Sequence, residues 1–369
     1  MRVVVAPDSF KGSIGAAGAA AALAEGWLSA RPGDQVTRFP LADGGEGTLE
    51  VLAAASGAGS WHQAEVTGPG GRRVDSCWLE LPGRTHVIEL ARASGLPLLA
   101  APEPLRAHTA GVGELIGHAL DAGARRMLVA LGGSASTDGG TGALAALGAR
   151  FLDAAGRDLP RGGGALADLA AADLSGLRAA PPDGVTCLTD VRAPLLGPGG
   201  AAAVFGPQKG ADAGQIVMLE AGLGRLAELL GGQSDAPGAG AAGGTAYGLA
   251  AAWGAVIMPG AAELSRIAGL DQALAGAELV ITGEGRYDRT SADGKVAGAV
   301  FAAAKRAGVP AALVAGLIAA DPPPGVVRSV ALADLAGGAA GAQVTPAHWL
   351  RAAGRMLALD LARKADSST

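Results

Sequence analysis

The sequence predicts an α/β fold: a doubly wound parallel-sheet domain built from both chain ends, with a second α/β domain inserted. The chain has 369 residues, more than the roughly 100 to 200 residues of one ordinary domain. Short apolar runs alternate with helical stretches near both ends, a pattern typical of parallel strands joined by helices. The middle begins differently, with short strands in succession. We therefore expect a discontinuous domain of residues 1–60 plus 261–369 and an inserted domain of residues 61–260.

The first strand–helix units are marked by clear breaks in the sequence. The apolar run "VVVA" ends at Pro7, and the alanine-rich stretch that follows ends at "RPG", residues 31–33. Proline and glycine at these points favour strand, loop and helix in that order. The segment "QVTRFPLADGGEGT" repeats the pattern and predicts a helix from about Gly47 to Ala55.

The inserted region opens with three short strands between Trp61 and Ala91, separated by Gly and Pro turns. Such turns without intervening helices favour an antiparallel meander. Helical periodicity returns at Val112. The elements predicted after it are a strand at Met127–Leu131, a helix at Thr141–Leu147, a strand that ends at Asp190, and helices at Gln215–Leu230 and Ala246–Val256.

The C-terminal part resumes the alternation of strands and helices. The predicted order is a strand in "ELVITGEGRYD", a helix at Val296–Ala307, strands in "AALVAG" and "VRSVALAD", and a helix near Ala347–Arg363. These elements complete the Rossmann-like domain that the N-terminal units begin.

Composition and charge exclude several classes of function. A formal net charge of -5 and a pI near 5.6 give no chain-wide attraction to nucleic acid or anionic membranes. The apolar run at the N-terminus is too short for a signal-peptide core, so we expect a cytoplasmic protein. Cys77 and Cys187 have no CxxC partner and are expected to be free and buried. The five histidines show no ligand spacing, which argues against zinc.

Glycine-rich loops with one or two charges recur along the chain, four of them directly after a predicted strand. In parallel sheets, ligands gather beyond the carboxyl ends of the strands, where glycines let backbone N–H groups approach a phosphate. Several such loops predict an anion site more strongly than one does. The five segments are "APDSFKGS", "LADGGEGT", "LGGSASTDGG", "TDVRAPLLGPGG" and "TGEGRYD".

These loops hold more acids than helix capping requires, and oxygen ligands near phosphates suit Mg²⁺. Asp138 could instead cap the helix after Gly140, and Glu46 could be a first-turn acid. Asp190 follows a strand and precedes Pro and Gly turns, so capping does not explain it. The seven acids are Asp8, Asp43, Glu46, Asp138, Asp190, Glu284 and Asp288.

Lys11, Lys209, Arg286 and Lys295 lie in the same loops or in "GPQKGA" and "DGK". Each could be an ordinary solvated surface cation. Together they could neutralise the oxygens of a phosphoryl group in transfer, which is most of what such a site must do.

Three common nucleotide or nucleophile motifs are absent or out of context. No GxxxxGK[ST] or GxSxG occurs. A single GxGxxG match, at Gly238, Gly240 and Gly243, follows "QSDAP" and not a predicted strand, so it lacks the context that a dinucleotide site requires.

The loops, read in order, resemble the signatures of the type I bacterial glycerate kinases along nearly the whole chain. This resemblance implies ATP-dependent phosphorylation of D-glycerate with Mg²⁺ in a cleft between two α/β domains, with 2-phosphoglycerate as the expected product. The matching segments are "APDSFKGS", "PLADGGEGT", "GGSASTDGG", "FGPQKGA", "PGAGAAGG" and "ITGEGRYDRTSADGK".

Roles for individual residues follow as expectations. Asp190 is expected to orient or deprotonate the glycerate hydroxyl, and Arg286 to grip the glycerate carboxylate. Asp43 and Asp288 are expected metal ligands, and three lysines balance charge: Lys11, Lys209 and Lys295. Cofactor contacts are expected from Gly44, Gly45, Gly132, Gly133, Ser134, Ser136, Gly283 and Gly285.

The chain departs from the family pattern at three positions: Thr137 and Ala193 stand where the family usually has Asn, and Arg289 where it has Gln. Alternatives therefore stay open at this stage. One is a kinase that forms 3-phosphoglycerate or acts on another small hydroxy acid. The other is a noncatalytic metabolite-binding regulator, which the retention of all seven loop acids disfavours. Nucleic acid and membranes are not expected partners.

Overall fold

Two sheets dominate the chain, which a computed structural model describes for residues 1–292 and 294–366. The fold is α/β with mostly parallel strands, as the sequence predicts. Contacts divide the chain into two units. The first unit contains Met1–Asp43, Glu50–Ala55 and the chain from Gly260 onward, and the second contains Gly44–Leu49 and Ser56–Pro259. That the chain forms two independent domains with boundaries at residues 60 and 260 stays a prediction.

The strands are named in chain order. They are β1 (Arg2–Val5), β2 (Gln35–Arg38), β3 (Ser60–Thr67), β4 (Arg73–Leu81), β5 (Thr85–Glu89), β6 (Arg126–Ala130), β7 (Arg150–Leu152), β8 (Ala171–Asp173), β9 (Val185–Leu188), β10 (Val256–Met258), β11 (Leu279–Tyr287), β12 (Ala311–Ile318) and β13 (Val326–Ala331).

The α-helices are named in the same way. They are α1 (Ala16–Ala30), α2 (Thr48–Ser56), α3 (Ala91–Ser94), α4 (Ala110–Asp121), α5 (Thr141–Ala146), α6 (Ala201–Phe205), α7 (Ala213–Leu230), α8 (Ala241–Trp253), α9 (Gly260–Ala268), α10 (Leu270–Leu274), α11 (Arg289–Ala292), α12 (Val296–Ala307), α13 (Leu332–Ala336), α14 (Ala339–Val344) and α15 (Pro346–Asp366). Short 3₁₀ turns cover Leu96–Leu98, Gly163–Asp168 and Pro207–Lys209.

The first unit is a doubly wound parallel sheet with strand order β13-β12-β11-β1-β2. Helices α1 and α15 cover one face, where Leu23, Trp27 and Leu357 pack with Val3 and Val5. Helices α9, α10 and α12 supply the core on the other face. The strand order reverses direction between β1 and β11, and in open α/β sheets such a reversal leaves a crevice at the carboxyl ends of the strands.

The second unit has a mixed sheet with strand order β10-β9-β6-β5-β4-β3. Strands β3, β4 and β5 form the predicted antiparallel meander, and β5, β6, β9 and β10 pair in parallel. One core cluster joins this sheet to helices α4, α5, α7 and α8. The carboxyl ends of β5, β6 and β9 therefore lie along one edge of the sheet. A separate antiparallel pair of β7 and β8 was not predicted.

Candidate active site

In the first unit, charged side chains gather where three neighbouring parallel strands end. Asp8 follows β1, and Asp43 follows the adjacent β2. Glu284 lies in the last part of β11, and the Asp8 backbone N–H donates to the Gly283 carbonyl at 2.8 Å. The sheet order thus brings together residues that are distant in sequence.

Asp8 is the carboxyl group most affected by this arrangement. It is buried, and burial together with the nearby carboxylates of Asp43 and Glu284 raises the pKa of Asp8 to about 7. Burial also raises the pKa of Glu284. One Glu284 oxygen, Oε1, is buried without a hydrogen-bond partner in the described part of the chain. Burial therefore disfavours the charged form of these two carboxyl groups more than the nearby lysines favour it.

Two of the predicted lysines reach this cluster. Lys11 Nζ lies 3.1 Å from Asp43 Oδ2, and Lys295 Nζ lies 4.0 Å from Glu284 Oε2. The Lys11 side chain is largely exposed, so its ammonium group can follow a ligand. Lys295 is the N-cap residue of α12, and the positive end of that helix points to the same place.

Arg286 and Asp288 lie at the end of β11, close to each other. The Arg286 Nε atom is 3.7 Å from Asp288 Oδ2, and the guanidinium is more than half exposed. The other Asp288 oxygen accepts hydrogen bonds from the backbone and hydroxyl of Thr290, at 3.0 and 2.6 Å. Asp288 thus supports the first turn of α11 with one oxygen and faces Arg286 with the other.

Close packing requires a glycine at position 283 of β11 but not at position 285. A Cβ atom on Gly283 would lie 2.1 Å from the Val314 carbonyl, and one on Gly285 would lie 3.4 Å from the Lys11 backbone nitrogen. The second distance is an ordinary van der Waals contact, so packing accounts for Gly283 alone. Contact of either glycine with a cofactor stays a prediction.

In the second unit, two predicted glycine loops touch at the ends of β6 and β9. The Gly132 N–H donates to the Gly44 carbonyl at 3.0 Å, and a Cβ atom on Gly132 would lie 2.4 Å from Gly45 Cα. Gly44 itself packs against the Leu188 carbonyl. The positive φ angles of Gly44 and Gly133, 91° and 77°, also favour glycine. The sequence-predicted loops therefore come together within this unit.

Glu89, at the end of β5, is a buried carboxylate that sequence reasoning missed. Its two oxygens accept hydrogen bonds from the backbone N–H groups of Gly47 and Leu49, both at 3.3 Å. It thereby holds the turn after Gly44 and Gly45. An acid that ends the apolar run "HVIE" was the only signal of this role.

Lys209 is buried inside the loop from Gly132 to Gly140, and only 2% of its surface is exposed. Its Nζ donates to Ser134 Oγ at 2.8 Å and to the Ser136 carbonyl. Burial lowers the pKa of Lys209 to about 7, although Asp138 nearby favours the charged form. The Ser136 hydroxyl is buried without a partner among the described residues. Lys209 therefore supports the conformation of this loop through its hydrogen bonds.

Asp138 organises the other end of this loop. Its Oδ2 accepts from the Thr109 N–H and hydroxyl, both at 2.8 Å, and from the Gly142 N–H at 3.2 Å. Its Oδ1 accepts from the Gly140 N–H at 3.2 Å. Two of these bonds support the start of α5, as the helix-capping alternative expects in part, although the N-cap residue is Gly140 and the other two bonds go to Thr109. Thr109 is a second partner that the sequence did not reveal.

Asp190 lies two residues beyond β9 and is partly exposed. Its strand is the direct neighbour of β6, so Asp190 and the loop from Gly132 to Gly140 follow adjacent parallel strands. The Leu131 N–H, which donates to the Leu188 carbonyl at 3.1 Å, ties the two strand ends together.

A magnesium ion fits the first unit by the chemistry of its donors. Asp8, Asp43 and Glu284 would offer carboxylate oxygens, and Glu284 has an oxygen without a partner among the described residues. Within residues 1–292 and 294–366, no three His, Cys, Asp or Glu side chains form a complete metal cage. Magnesium needs only one or two protein carboxylates when water and phosphate oxygens complete its shell.

Comparisons with known proteins identify the family of the chain. A model of the glycerate kinase family matches residues 3–358. A glycerate kinase of Bacillus subtilis (strain 168) is 43% identical over 332 residues, which cover 87% of this chain and 86% of the relative. The glycerate 2-kinase of Escherichia coli (strain K12) is 42% identical over 330 residues, with 87% and 86% covered.

A solved structure shows the same fold. The crystal structure assigned as a glycerate kinase 2 from Salmonella typhimurium LT2 superposes with a TM-score of 0.82 at 38% identity, and covers 100% of both chains. The fold and the matches define the class of the protein, which is an α/β kinase. The chain belongs to the glycerate kinase family.

Two further expectations can be compared with the structure. Cys77 and Cys187 are free and buried, as expected. Among the helices of the described residues, none combines the length and the apolar character needed to cross a bilayer.

Proposed function

We propose that this protein transfers the γ-phosphoryl group of ATP to the 2-hydroxyl of D-glycerate. The observation that carries the proposal is the family match over residues 3–358, whose span includes both groups of charged and glycine-rich loops. The E. coli relative is named a glycerate 2-kinase, which supports the 2-position. A cytoplasmic location also stays part of the proposal.

In the first unit, we assign the charged cluster to the phosphates and the acid. Lys11 and Lys295 would neutralise phosphate oxygens. Their ammonium groups lie beside the carboxylates of Asp43 and Glu284, so both lysines reach this cluster. The exposed guanidinium of Arg286 would bind the glycerate carboxylate through two parallel hydrogen bonds. Asp288 would keep that guanidinium in position.

The magnesium ion would be held by Asp43, with Asp8 and Glu284 beside it and Asp288 as the further ligand expected from the sequence. When bound, it would supply positive charge that draws the phosphate oxygens into a fixed geometry. The protein's contribution is a partly buried acidic cluster, in which burial first and the nearby Asp43 carboxylate second raise the pKa of Asp8.

In the second unit, we assign Asp190 as the general base that takes the proton from the glycerate hydroxyl. The backbone N–H groups of the Gly44–Gly45 turn and the Gly132–Gly133 turn would donate to anionic oxygens. Lys209 would keep this loop in position, because its ammonium group donates hydrogen bonds to Ser134 and Ser136. Phosphoryl transfer needs this fixed positioning more than it needs covalent chemistry.

The activity is tested by phosphorus-coupled proton NMR of the product formed from D-glycerate and MgATP. We expect the phosphorus to couple to the proton on C2. Coupling to the C3 protons would show that the product is the 3-phosphate. A parallel assay of ADP release with other small hydroxy acids tests the substrate: a clear preference for another acid, or no turnover with any of them, contradicts the proposal.

The base is tested by Asp190→Asn, with Asp168→Asn as control because Asp168 is exposed in the same unit. Loss of a general base lowers the rate by about 100-fold or more, so kcat should fall by that factor while the KM for glycerate changes little. The control should keep wild-type kinetics. An Asp190→Asn variant with wild-type kcat would remove Asp190 from this role.

A further inference from the structure

The second unit contains a cavity of about 570 Å³ that the proposed reaction does not use. Its volume is in the range of pockets that hold small organic ligands. None of the residues assigned above to substrate, cofactor or metal lines this cavity in the described part of the chain. Its walls come from the turn at residues 70–71, from residues 103–108, from residues 160–165 and from Met218 on α7.

Backbone contacts fix these walls in place. A Cβ atom on Gly162 would lie 2.5 Å from the Leu105 carbonyl, so residues 103–108 and 160–165 approach as closely as their main chains allow. The Gly164 N–H donates to the same carbonyl at 3.0 Å. The His108 N–H donates to the Pro69 carbonyl at 3.1 Å and ties in the turn. The cavity is therefore preformed, which lowers the ordering cost of binding.

Two arginines line the cavity, Arg106 and Arg161. Both side chains are exposed, and neither forms an ion pair or a side-chain hydrogen bond with any described residue. A guanidinium group presents paired N–H donors that match the oxygens of a carboxylate or a phosphate. Glu103 lines the cavity as well and supplies an acceptor for a hydroxyl group beside the anion.

His108 adds a ring donor to the same wall. The residue is 5% exposed, and burial lowers the pKa of His108, which favours the neutral ring. Its Nδ1 accepts from the Ala110 N–H at 3.3 Å, which leaves the ring proton on Nε2. No hydrogen bond among the described residues uses that Nε2–H group. The Nε2–H group is therefore open to a ligand at the cavity wall.

We propose that this cavity is a second ligand site, which binds a small hydroxylated metabolite through its carboxylate or phosphate group. Arg106 and Arg161 grip the anionic oxygens, His108 donates one further hydrogen bond, and Glu103 accepts from the hydroxyl. The site is separate from the glycine-rich loops at the strand ends.

Calorimetric titration of the full-length protein tests the proposal, with inorganic phosphate as one probe and malonate as the other. The double variant Arg106→Gln/Arg161→Gln is compared with Arg126→Gln, which changes an exposed arginine at the start of β6 in the same unit. Losing charge-assisted hydrogen bonds should weaken binding about tenfold or more. The control should bind like the wild type, and the tighter probe identifies the anionic group.

Three outcomes would overturn the proposal. The first is saturable binding that is equal in the wild type and in the double variant. The second is no binding at millimolar probe. The third is a site that D-glycerate fills in competition with phosphate, because the arginines would then belong to the substrate site. The titration measures binding without turnover, so its failure leaves the proposed kinase activity standing. Unchanged circular dichroism shows that the double variant is folded.

Discussion

At the scale of single residues, Lys209 shows how far a loop motif can be interpreted from sequence. The glycines around it predict a site, but they do not say whether its ammonium group faces a ligand or the protein. The structure buries the group against Ser134 and Ser136. Burial of a charged lysine lowers the free energy of unfolding by an amount that depends on pH, and an exposed lysine has no such effect.

We predict that the stability of the wild-type protein rises with pH above neutrality because of Lys209. Burial lowers the folded-state pKa of Lys209 from 10.5 to about 7. Below pH 7 both states are protonated, and the folded state carries the full cost of the buried charge. Between pH 7 and 10.5 only the unfolded chain holds the proton, so the free energy of unfolding increases. From pH 7 to 9 the gain is roughly 2 kcal/mol.

Urea unfolding of Lys209→Met at the two pH values measures this contribution. The variant should lack the increase, and Lys305→Met, which changes an exposed lysine of α12, should retain it. Equal pH dependence in the wild type and in Lys209→Met would mean that Lys209 stays charged in the folded protein.

At the scale of elements, the sequence predicts helices well where both ends carry a signal. The predicted helix Val296–Ala307 has the observed bounds, because a polar residue precedes it and Gly308 ends it with a left-handed φ angle. The helix predicted from Ala246 to Val256 corresponds to the regular part of α8, which follows a kink at residues 242–244 and ends at Trp253, and Val256 begins β10. Gly254 ends that helix, but the short apolar run after it does not by itself distinguish strand from helix.

The glycines of the isolated GxGxxG match illustrate what the sequence leaves open at this scale. A Cβ atom on Gly240 would lie 2.2 Å from the Pro194 carbonyl, and one on Gly243 would lie 2.1 Å from the Ser136 carbonyl. Gly243 also has a φ angle of 64°. These glycines let the start of α8 support the loop that Lys209 holds. Their partners are distant in the chain, so no local pattern could reveal the contact.

At the scale of the whole molecule, the two chain ends complete one sheet and one core. Strand β1 pairs with β11, and α15 packs against α1, where a Cβ atom on Gly354 would lie 2.3 Å from the Leu23 carbonyl. The first unit therefore requires residues from both termini. A destabilising change near the C-terminus should therefore also destabilise the N-terminal strand β1.

We predict that Leu357→Ala destabilises the first unit by about 2–5 kcal/mol, because a fully buried leucine leaves a cavity when truncated. Hydrogen exchange should become faster in β1, which shares its core, and stay unchanged in β6 of the second unit. Leu359→Ala, two residues along the same helix at a position 41% exposed, is the control and should change little. Equal acceleration in β1 and β6 would contradict independent unfolding of the two units.

The sequence by itself determined the α/β class, the alternation of strands and helices, and the loops on which the family resemblance rests. These features are local, since periodicity, turn residues and short motifs are set by neighbours along the chain. Tertiary structure decided the roles of Glu89, Thr109 and Lys209, and it formed the cavity beside Arg106 and Arg161. Burial and pairing between distant segments fix such roles, and neither is encoded at a single position.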